Sequence, residues 1–258
     1  MASVRSLAEC AGIDASERVS LLFDYFGFAR GKVPEDPDTS VTAQVSVLDQ
    51  AARVDGHHFH LNVIRVGFDT LAATDFADGL MKLDYAVYRC RRIFASQGLG
   101  IGRVQHYEIA TADANGRDDL GTETEADDLS DEWSVDNDGI DAFVVRNISD
   151  PDYVGISPIE GDCDKGSGDD GLVAGEIGRP IEAAARTFAH EIGHFLGLPH
   201  NHGDDCPSTD SAQRNLMAQT RCVPMITGTN TRDVRNAVRL TAGDGNEIRD
   251  HCSVREGC

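Results

Sequence analysis

The stretch RTFAHEIGHFLGLPHNHGDD, residues 186–205, constrains the fold of this chain more than any other segment. It contains four histidines and three acidic residues within an apolar run. Buried imidazoles and carboxylates are costly unless they are paired, so the fold has to supply them with partners. Apolar residues recur at helical spacing on one face: Ile181, Ala185, Phe188, Ile192 and Leu196. This pattern predicts a helix with Pro180 at its first position, whose apolar face packs into a core.

The opposite face of this helix presents His190 and His194, which are four residues apart and therefore project one above the other. Two neutral imidazoles placed in this way can bind one metal ion, and Glu191 beside them can reach a metal-bound water. This is the H-E-x-x-H pattern of zinc hydrolases. Gly197 can end the helix with a positive φ, so His200 can approach the same ion. The spacing predicts three zinc ligands, His190, His194 and His200, with Glu191 as the general base.

The extended motif H-E-x-x-H-x-x-G-x-x-H, followed by Met217 in RNLMAQ, resembles the metzincin clan of zinc endopeptidases. The strict resemblance covers residues 186–220, and a more general one covers 55–258; the family within the clan is not assigned. It implies an α+β catalytic domain with a twisted mixed sheet, packed helices, an active-site helix and a small irregular C-terminal subdomain. Met217 would form the methionine turn beneath the metal. Some metzincins carry a tyrosine two residues later, where this chain has Gln219.

The resemblance implies a zinc-dependent endopeptidase that hydrolyses peptide bonds through a metal-bound water activated by Glu191. A protein or peptide substrate would lie extended along the cleft and pair with an edge strand such as 171–177. The loop AQTRCVPMITGTN after Met217 would shape the pocket on the leaving-group side. Two alternatives remain open. One is a zinc-stabilised protein-binding module that has lost catalysis, and the other is a small-amide hydrolase on the same fold.

The order of patterns along the chain indicates one catalytic domain over residues 55–258, with an upper subdomain to about 200 and a lower one over 201–258. Residues 1–54 form an N-terminal segment, interpreted as a pro-segment or an extra strand. Local patterns predict a strand at 59–68, a helix at 76–98, a strand at 101–110, a long surface loop at 111–138, a strand at 140–148 and an edge strand at 171–177. The first three predict a strand–helix–strand crossover unit.

Charge and cysteine content narrow the partners and the compartment. The net charge of −21 argues against nucleic acid and anionic membranes, and no apolar run is long enough to span a membrane. Four of the seven cysteines follow residue 200, which favours an oxidising, extracellular compartment. The N-terminus has no signal-peptide pattern, so the chain is either intracellular or a processed form. Bridges are expected among Cys163, Cys206, Cys222, Cys252 and Cys258, and Cys10 is a candidate for an unpaired thiol that blocks the zinc.

Weaker signals surround the main motif. Asp162, Asp164, Asp169 and Asp170 form a glycine-rich acidic segment that could bind Ca²⁺, although its spacing does not match an EF-hand and it also reads as a plain acidic loop. His57, His58 and His60 could form a second metal site, but a solvated strand entry is the favoured interpretation. His202 is interpreted as a surface loop residue rather than as a residue that supports the metal ligands.

Overall fold

In the computed structural model the chain is described over residues 56–151, 153–166, 169–175 and 179–257. The predicted α+β fold is confirmed: a twisted mixed sheet carries packed helices, and an irregular segment follows the helix that contains the H-E-x-x-H motif. The N-terminal segment 1–54 and its Cys10 lie outside the described residues. The proposed domain boundaries therefore stay predictions.

The fold begins with the predicted crossover unit. Strand β1 (His57–Val66) leads through helix α1 (Ala73–Ala95) to strand β2 (Gly100–Ile109), and the two strands pair in parallel. Eight of the ten residues of β1 are buried, because helices cover both faces of the sheet around this central strand. The crossover prediction is confirmed, with boundaries shifted by one to three residues.

The remaining strands are β3 (Asp119–Leu120), β4 (Gly139–Val145), β5 (Asn147–Ile148), β6 (Gly155–Ile156), β7 (Gly171–Gly175) and β8 (Arg255–Glu256). The remaining helices are α2 (Glu123–Trp133), α3 (Ile181–Phe195), α4 (Asp210–Gln213) and α5 (Ala242–Asp250), and short 3-10 helices lie at Phe68–Thr70, Thr220–Cys222 and Val234–Asn236. The prediction of a long loop at 111–138 is wrong, because α2 occupies its centre. Thr122 caps this helix by accepting a hydrogen bond from the backbone of Glu125.

The main sheet has the order β2-β1-β4-β7-β6, and β8 pairs antiparallel with the start of β1. Strands β2, β1, β4 and β7 are parallel, while β6 runs antiparallel to β7. The prediction that 171–177 forms an edge strand is wrong, since β7 is paired on both sides. The edge of the sheet on this side is the short strand β6.

Two apolar clusters sandwich the sheet, as the alternation of side chains along a strand requires. Phe59, Leu61 and Val63 of β1 face α1 and α3, whereas Ile64 and Val66 face the side that carries α2. Helix α3, which contains the H-E-x-x-H motif, is therefore held against the sheet by a continuous core, and α1 is its main helical neighbour. A rigid support of this kind fixes the positions of the side chains on the opposite face of α3.

Helix α3 begins at Ile181, so Pro180 is its N-cap residue rather than its first helical residue as predicted. The predicted apolar stripe is buried at Ala185, Phe188 and Ile192. Gly197 takes a φ of 92°, as predicted, and turns the chain out of the helix. The amide of Leu198 then donates to the carbonyl oxygen of Gly193 at 2.9 Å, which fixes the direction in which the chain continues towards His200.

Disulfides hold the irregular segment 201–257, which contains few long elements. Cys206 pairs with Cys222, and Cys163 pairs with Cys252. These two bridges are compatible with an extracellular location. Among the described cysteines Cys90 is free and buried in the core, whereas Cys258 lies outside the described residues. No helix in the described part of the chain is long and apolar enough to cross a membrane.

Candidate metal centre

Three imidazoles converge at the C-terminal end of α3. The Nε2 atoms of His190 and His194 are 3.1 Å apart, and that of His200 lies 3.3 and 3.2 Å from them. Three nitrogens that bind one tetrahedral zinc at about 2.0–2.1 Å lie about 3.3–3.4 Å from one another. The spacing of the three nitrogens therefore fits a zinc ion.

Backbone carbonyls set the tautomers of two of these rings. The Nδ1 of His190 lies 2.7 Å from the carbonyl oxygen of Leu216, and the Nδ1 of His194 lies 2.7 Å from that of Leu198. A carbonyl oxygen only accepts hydrogen bonds, so each Nδ1 carries the proton and donates it. In the neutral ring the Nε2 then carries an unprotonated lone pair. Both lone pairs point into the same small space, which is how metal-binding histidines are usually oriented.

The rings are held in the neutral form that a metal requires. Burial, together with the nearby His194 and Arg186, lowers the pKa of His190 well below its ordinary value. Burial and His200 lower the pKa of His194 to about 4. The pKa of His200 is also lowered, first by burial and then by the positive charges of His202, Arg186 and Arg221. Bare Nε2 atoms at about 3 Å repel one another, and a bound cation would remove this repulsion.

The predicted methionine turn lies directly beneath the helix. Met217 is buried, and its Sδ lies so close to the helix that a Cβ on Gly193 would be 2.6 Å from it. The turn is closed by the Asn215 side chain, which accepts a hydrogen bond from the amide of Met217 at 2.7 Å. Because Leu216 in the same turn supplies the carbonyl that orients His190, the position of this turn also determines the orientation of that imidazole.

A buried arginine anchors the same turn. The Arg186 guanidinium donates to the carbonyl oxygens of Leu216 at 3.0 Å, Ala237 at 2.8 Å and also Ala218, and to Thr220 Oγ1 at 3.3 Å. All four acceptors are neutral. Burial lowers the pKa of Arg186 to about 10, which leaves the group charged at neutral pH. This structural role has no short-range sequence signal, because it depends on contacts 30 to 51 residues away.

Glu191 lies at the wall of the cleft that contains the imidazoles, and it is only 4% exposed. A Cβ on Gly155 would be 2.5 Å from its Oε1, so the backbone of β6 passes directly beside the carboxylate. The cleft has a volume of about 530 Å³ and is lined by both β6 and the three histidines. The cleft therefore places the edge strand, the carboxylate and the three imidazoles next to one another.

His202 is partly buried and supports the segment below the site. Its ring stacks on that of His200 with the centroids 6.0 Å apart. Its Nε2 accepts a hydrogen bond from the amide of Gln219 at 3.0 Å, and its Nδ1 donates to Gly203. The interpretation of His202 as a plain surface histidine is thus wrong. His202 links His200, the third proposed ligand, to Gln219, which stands where some metzincins have a tyrosine.

The predicted calcium site receives no support. Asp170 is fully buried, and its carboxylate accepts from Ser130 Oγ and from the amide of Gly166. Asp162 accepts from the amide of Asp164 and donates its own amide to the carbonyl oxygen of Asp169. Within the described ranges these carboxylates do not come together as a group of metal ligands. They instead fold their own loop through backbone hydrogen bonds.

The histidines at the start of β1 are not a solvated strand entry. His58 and His60 are buried, with ring centroids 5.2 Å apart. The Nδ1 of His60 accepts from the amide of Arg103 at 3.0 Å, and its Nε2 lies 3.8 Å from Asp138. Among the described residues they belong to no cluster of three possible metal ligands. Their role in the described structure is to pack the start of the sheet.

Comparison with known proteins gives one family and two similar structures. Residues 87–201 match the model of a family described as Metallo-peptidase family M12B Reprolysin-like. The first similar structure is archaemetzincin from Methanopyrus kandleri, with 13% identity, a TM-score of 0.43, and 74% of this chain and 95% of that chain covered. The second is described as a chaperone–substrate complex, with 15% identity, a TM-score of 0.40, and 75% of this chain and 33% of that chain covered. No curated protein matches the sequence.

The family match covers fewer than half of the residues and agrees with the resemblance to zinc metallopeptidases that the motif indicated, and the family within the clan stays unassigned. It includes α3 and the three histidines and ends one residue after His200. A zinc-dependent peptidase acting on proteins or peptides is thereby supported in general terms. The roles of the individual residues are a matter of proposal.

Proposed function

We propose that this chain is a zinc-dependent endopeptidase, with His190, His194 and His200 as the metal ligands and Glu191 as the general base. The observation that carries the proposal is the convergence of three Nε2 atoms within 3.1–3.3 Å of one another in an open cleft that also contains a buried carboxylate. When bound, zinc supplies a Lewis acid that polarises a carbonyl and makes a water more acidic.

Glu191 is suited to proton transfer because it lines the cleft without belonging to the group of converging nitrogens. Its carboxylate would accept a proton from the attacking water and then donate it to the amine that leaves. The Leu216 and Leu198 carbonyls keep His190 and His194 in one tautomer throughout this cycle. Gln219 takes the place of a tyrosine, so the chain offers no phenol at that position for a developing oxyanion.

The edge strand β6 is the proposed docking site for the substrate backbone. One side of β6 pairs with β7, and Gly155 and Ile156 line the cleft. An extended peptide can add to such an edge through main-chain hydrogen bonds. After β6, the amides of Glu160 and Gly161 donate to the carbonyl oxygens of His194 and Phe195, at 3.0 and 2.8 Å. These bonds fix the edge strand relative to the catalytic helix.

The residues that flank β6 offer apolar contacts to a peptide. Tyr153 and Val154 line the cleft and are each 38% exposed, and Ile159 is 58% exposed. Large apolar side chains exposed together in a cleft are typical of a binding surface. The Cys206–Cys222 and Cys163–Cys252 disulfides are consistent with the further proposal that the peptidase acts outside the cell.

A zinc-stabilised binding module is the second candidate. A structural zinc is usually enclosed by four protein ligands, whereas a catalytic zinc keeps an open position. In the described structure the group contains three histidines and faces a cleft. This arrangement favours catalysis over a purely structural role.

The test is the Glu191→Gln variant, which keeps the shape of the side chain but removes the proton acceptor. We expect unchanged zinc content and a decrease of about 10²–10⁴-fold in peptide hydrolysis, the usual cost of losing a general acid–base group. The matched control is Glu256→Gln, an exposed position outside the cleft. Loss of zinc from Glu191→Gln would mean that the carboxylate holds the ligands, and full activity would mean that another group takes the proton.

A further inference from the structure

Arg221 lies on the wall of the cleft in the segment after the methionine turn, and its side chain is exposed. Its Nε donates to Gln219 Oε1 at 2.7 Å, and its Nη2 donates to the carbonyl oxygen of Asp204 at 2.9 Å. Two bonds from two nitrogens fix the plane of a guanidinium. Its Nη1 donates to no group in the described part of the chain, so the fixed guanidinium keeps donors for a ligand.

Arg186 adds a second positive charge to the floor of the same cleft. It is buried, and its four hydrogen-bond acceptors are neutral oxygens. Among the described residues no carboxylate oxygen lies within 4 Å of either guanidinium, since neither arginine takes part in an ion pair. The charge on this wall is thus not cancelled by contact with an acidic side chain.

The carboxylates that line the cleft lie elsewhere. Glu191 is beside the histidines, and its charge raises the pKa of Arg186 only in part against the larger lowering by burial. Glu123 starts helix α2, which packs against β7 on the sheet side. Thr187 and Thr220, the chain neighbours of the two arginines, also line the cleft. The Oγ1 of Thr220 accepts from Arg186 at 3.3 Å, so its hydroxyl proton is free to be donated into the cleft.

We propose that Arg221, with the buried Arg186 in the lining of the same cleft, forms a carboxylate-binding subsite beside the metal centre, so that the enzyme prefers peptides with Asp or Glu next to the bond it cleaves. This inference rests on the proposed peptidase function. A guanidinium fork matches the two oxygens of a carboxylate, and such charge-assisted pairs are stronger than neutral hydrogen bonds. The charge is local: the whole protein carries −21, so overall charge gives no attraction for acidic peptides.

The first experiment compares peptides that differ at one position. A cleaved peptide is located by mass spectrometry, and the residue on each side of its scissile bond is then varied through Asp, Asn, Glu, Gln and Lys. At one of the two positions we expect kcat/KM for the acid to exceed that for its matching amide by about tenfold, and Lys to be the poorest residue. A C-terminal carboxylate offers the same chemistry, so each peptide is also made with an amidated C-terminus.

The second part assigns the preference to Arg221. In Arg221→Gln the acid-to-amide ratio should fall to about one, and in Arg221→Glu the preference should shift towards Lys. The control is Arg92→Glu, an exposed arginine of α1 that makes the same change in net charge outside the cleft. This control should keep the wild-type ratio. Raising the salt concentration should lower the wild-type ratio, because a partly exposed ion pair is screened.

The outcomes separate the subsite from the proposed function. If peptides are cleaved but acid and amide are equal, the subsite is wrong and the peptidase stands. If only a free C-terminus raises the rate, the side-chain preference is wrong, because Arg221 then reads the chain terminus. If no peptide is cleaved, the proposed function fails. Fluorescence anisotropy of labelled peptides on the zinc-loaded protein then tests whether the carboxylate-binding subsite exists. Binding of the Asp peptide about tenfold more tightly than the Asn peptide supports it, and equal binding overturns it.

Discussion

Replacing Arg186 with methionine tests whether the methionine turn is held by this single buried cation. Methionine has a similar length but provides no donors and no charge. The change removes hydrogen bonds to the carbonyl oxygens of Leu216, Ala218 and Ala237 and to Thr220 Oγ1. The Leu216 carbonyl keeps His190 Nδ1 as a donor, so three acceptors lose theirs. At about 1–3 kcal/mol for each acceptor left without a donor, the gross loss is about 3–9 kcal/mol.

Part of this loss is returned because the buried charge itself is costly. The pKa of Arg186 is lowered from 12.5 to about 10, mainly by burial. A shift of this size corresponds to about 3 kcal/mol that favours the uncharged form. Taking about 6 kcal/mol, the middle of the gross range, the expected net decrease in the free energy of unfolding is about 3 kcal/mol. Since the Leu216 carbonyl also orients His190, zinc affinity should fall by about 10–100-fold.

Urea unfolding and competition with a zinc chelator measure the two effects separately. Arg92→Met, at an exposed position of α1, is the control, and it should stay within about 0.5 kcal/mol of wild type. Arg186→Lys keeps the charge but cannot reach three carbonyls in one plane, so it should still lose zinc affinity. A wild-type urea midpoint together with wild-type zinc affinity in Arg186→Met would show that this cation does not hold the turn.

Two further changes probe the support of the site and the start of the sheet. Gly193→Ala would place a Cβ 2.6 Å from Met217 Sδ, so the methionine turn would have to shift. We expect about 1–3 kcal/mol of destabilisation in thermal unfolding and slower peptide hydrolysis in an activity assay. Unchanged values would show that the turn is not packed as described. Burial lowers the pKa of His60 to about 4, so the unfolded chain binds more protons than the folded one between about pH 6.5 and 4. The free energy of unfolding should therefore decrease by on the order of 2 kcal/mol as the pH falls through this range. His60→Asn, which keeps an acceptor for the amide of Arg103, should lose less stability over that range in urea titrations at about pH 7 and pH 4.5, and an equal loss would contradict the assignment.

The active-site helix was predictable because two local patterns agree on it. The apolar stripe of Ala185, Phe188 and Ile192 has helical spacing, and the same register places His190 and His194 together on the opposite face. Both patterns depend only on residues within a few turns of each other. This is why the sequence indicates that these imidazoles come together, while it gives no sign of their carbonyl partners.

Helix α2 was missed because its composition resembles that of an acidic loop. Only Ala126, Leu129 and Ser130 are buried, and most of the remaining positions are acidic or polar. A signal was present in Thr122 followed three residues later by Glu125, a typical start of a helix. The threonine does accept the hydrogen bond from the amide of Glu125.

The edge strand could not be assigned from the sequence. Leu172, Val173 and Ala174 form a short apolar run that is equally consistent with an edge or a buried strand, and pairing with β6 decides between them. β6 itself has two residues, too few for any periodicity. Strand order depends on contacts between distant parts of the chain, and the same holds for the contacts of Arg186.

Peptide-library cleavage decides whether this chain is a zinc-dependent endopeptidase. The purified protein is assayed before chelation, after chelation and after zinc is restored. We predict cleavage at internal peptide bonds, loss of that cleavage when a chelator removes the metal, and its return with about one zinc per chain. Protein that holds one zinc per chain and cleaves no internal bond would contradict the proposed function, and so would cleavage that persists after the zinc has been removed.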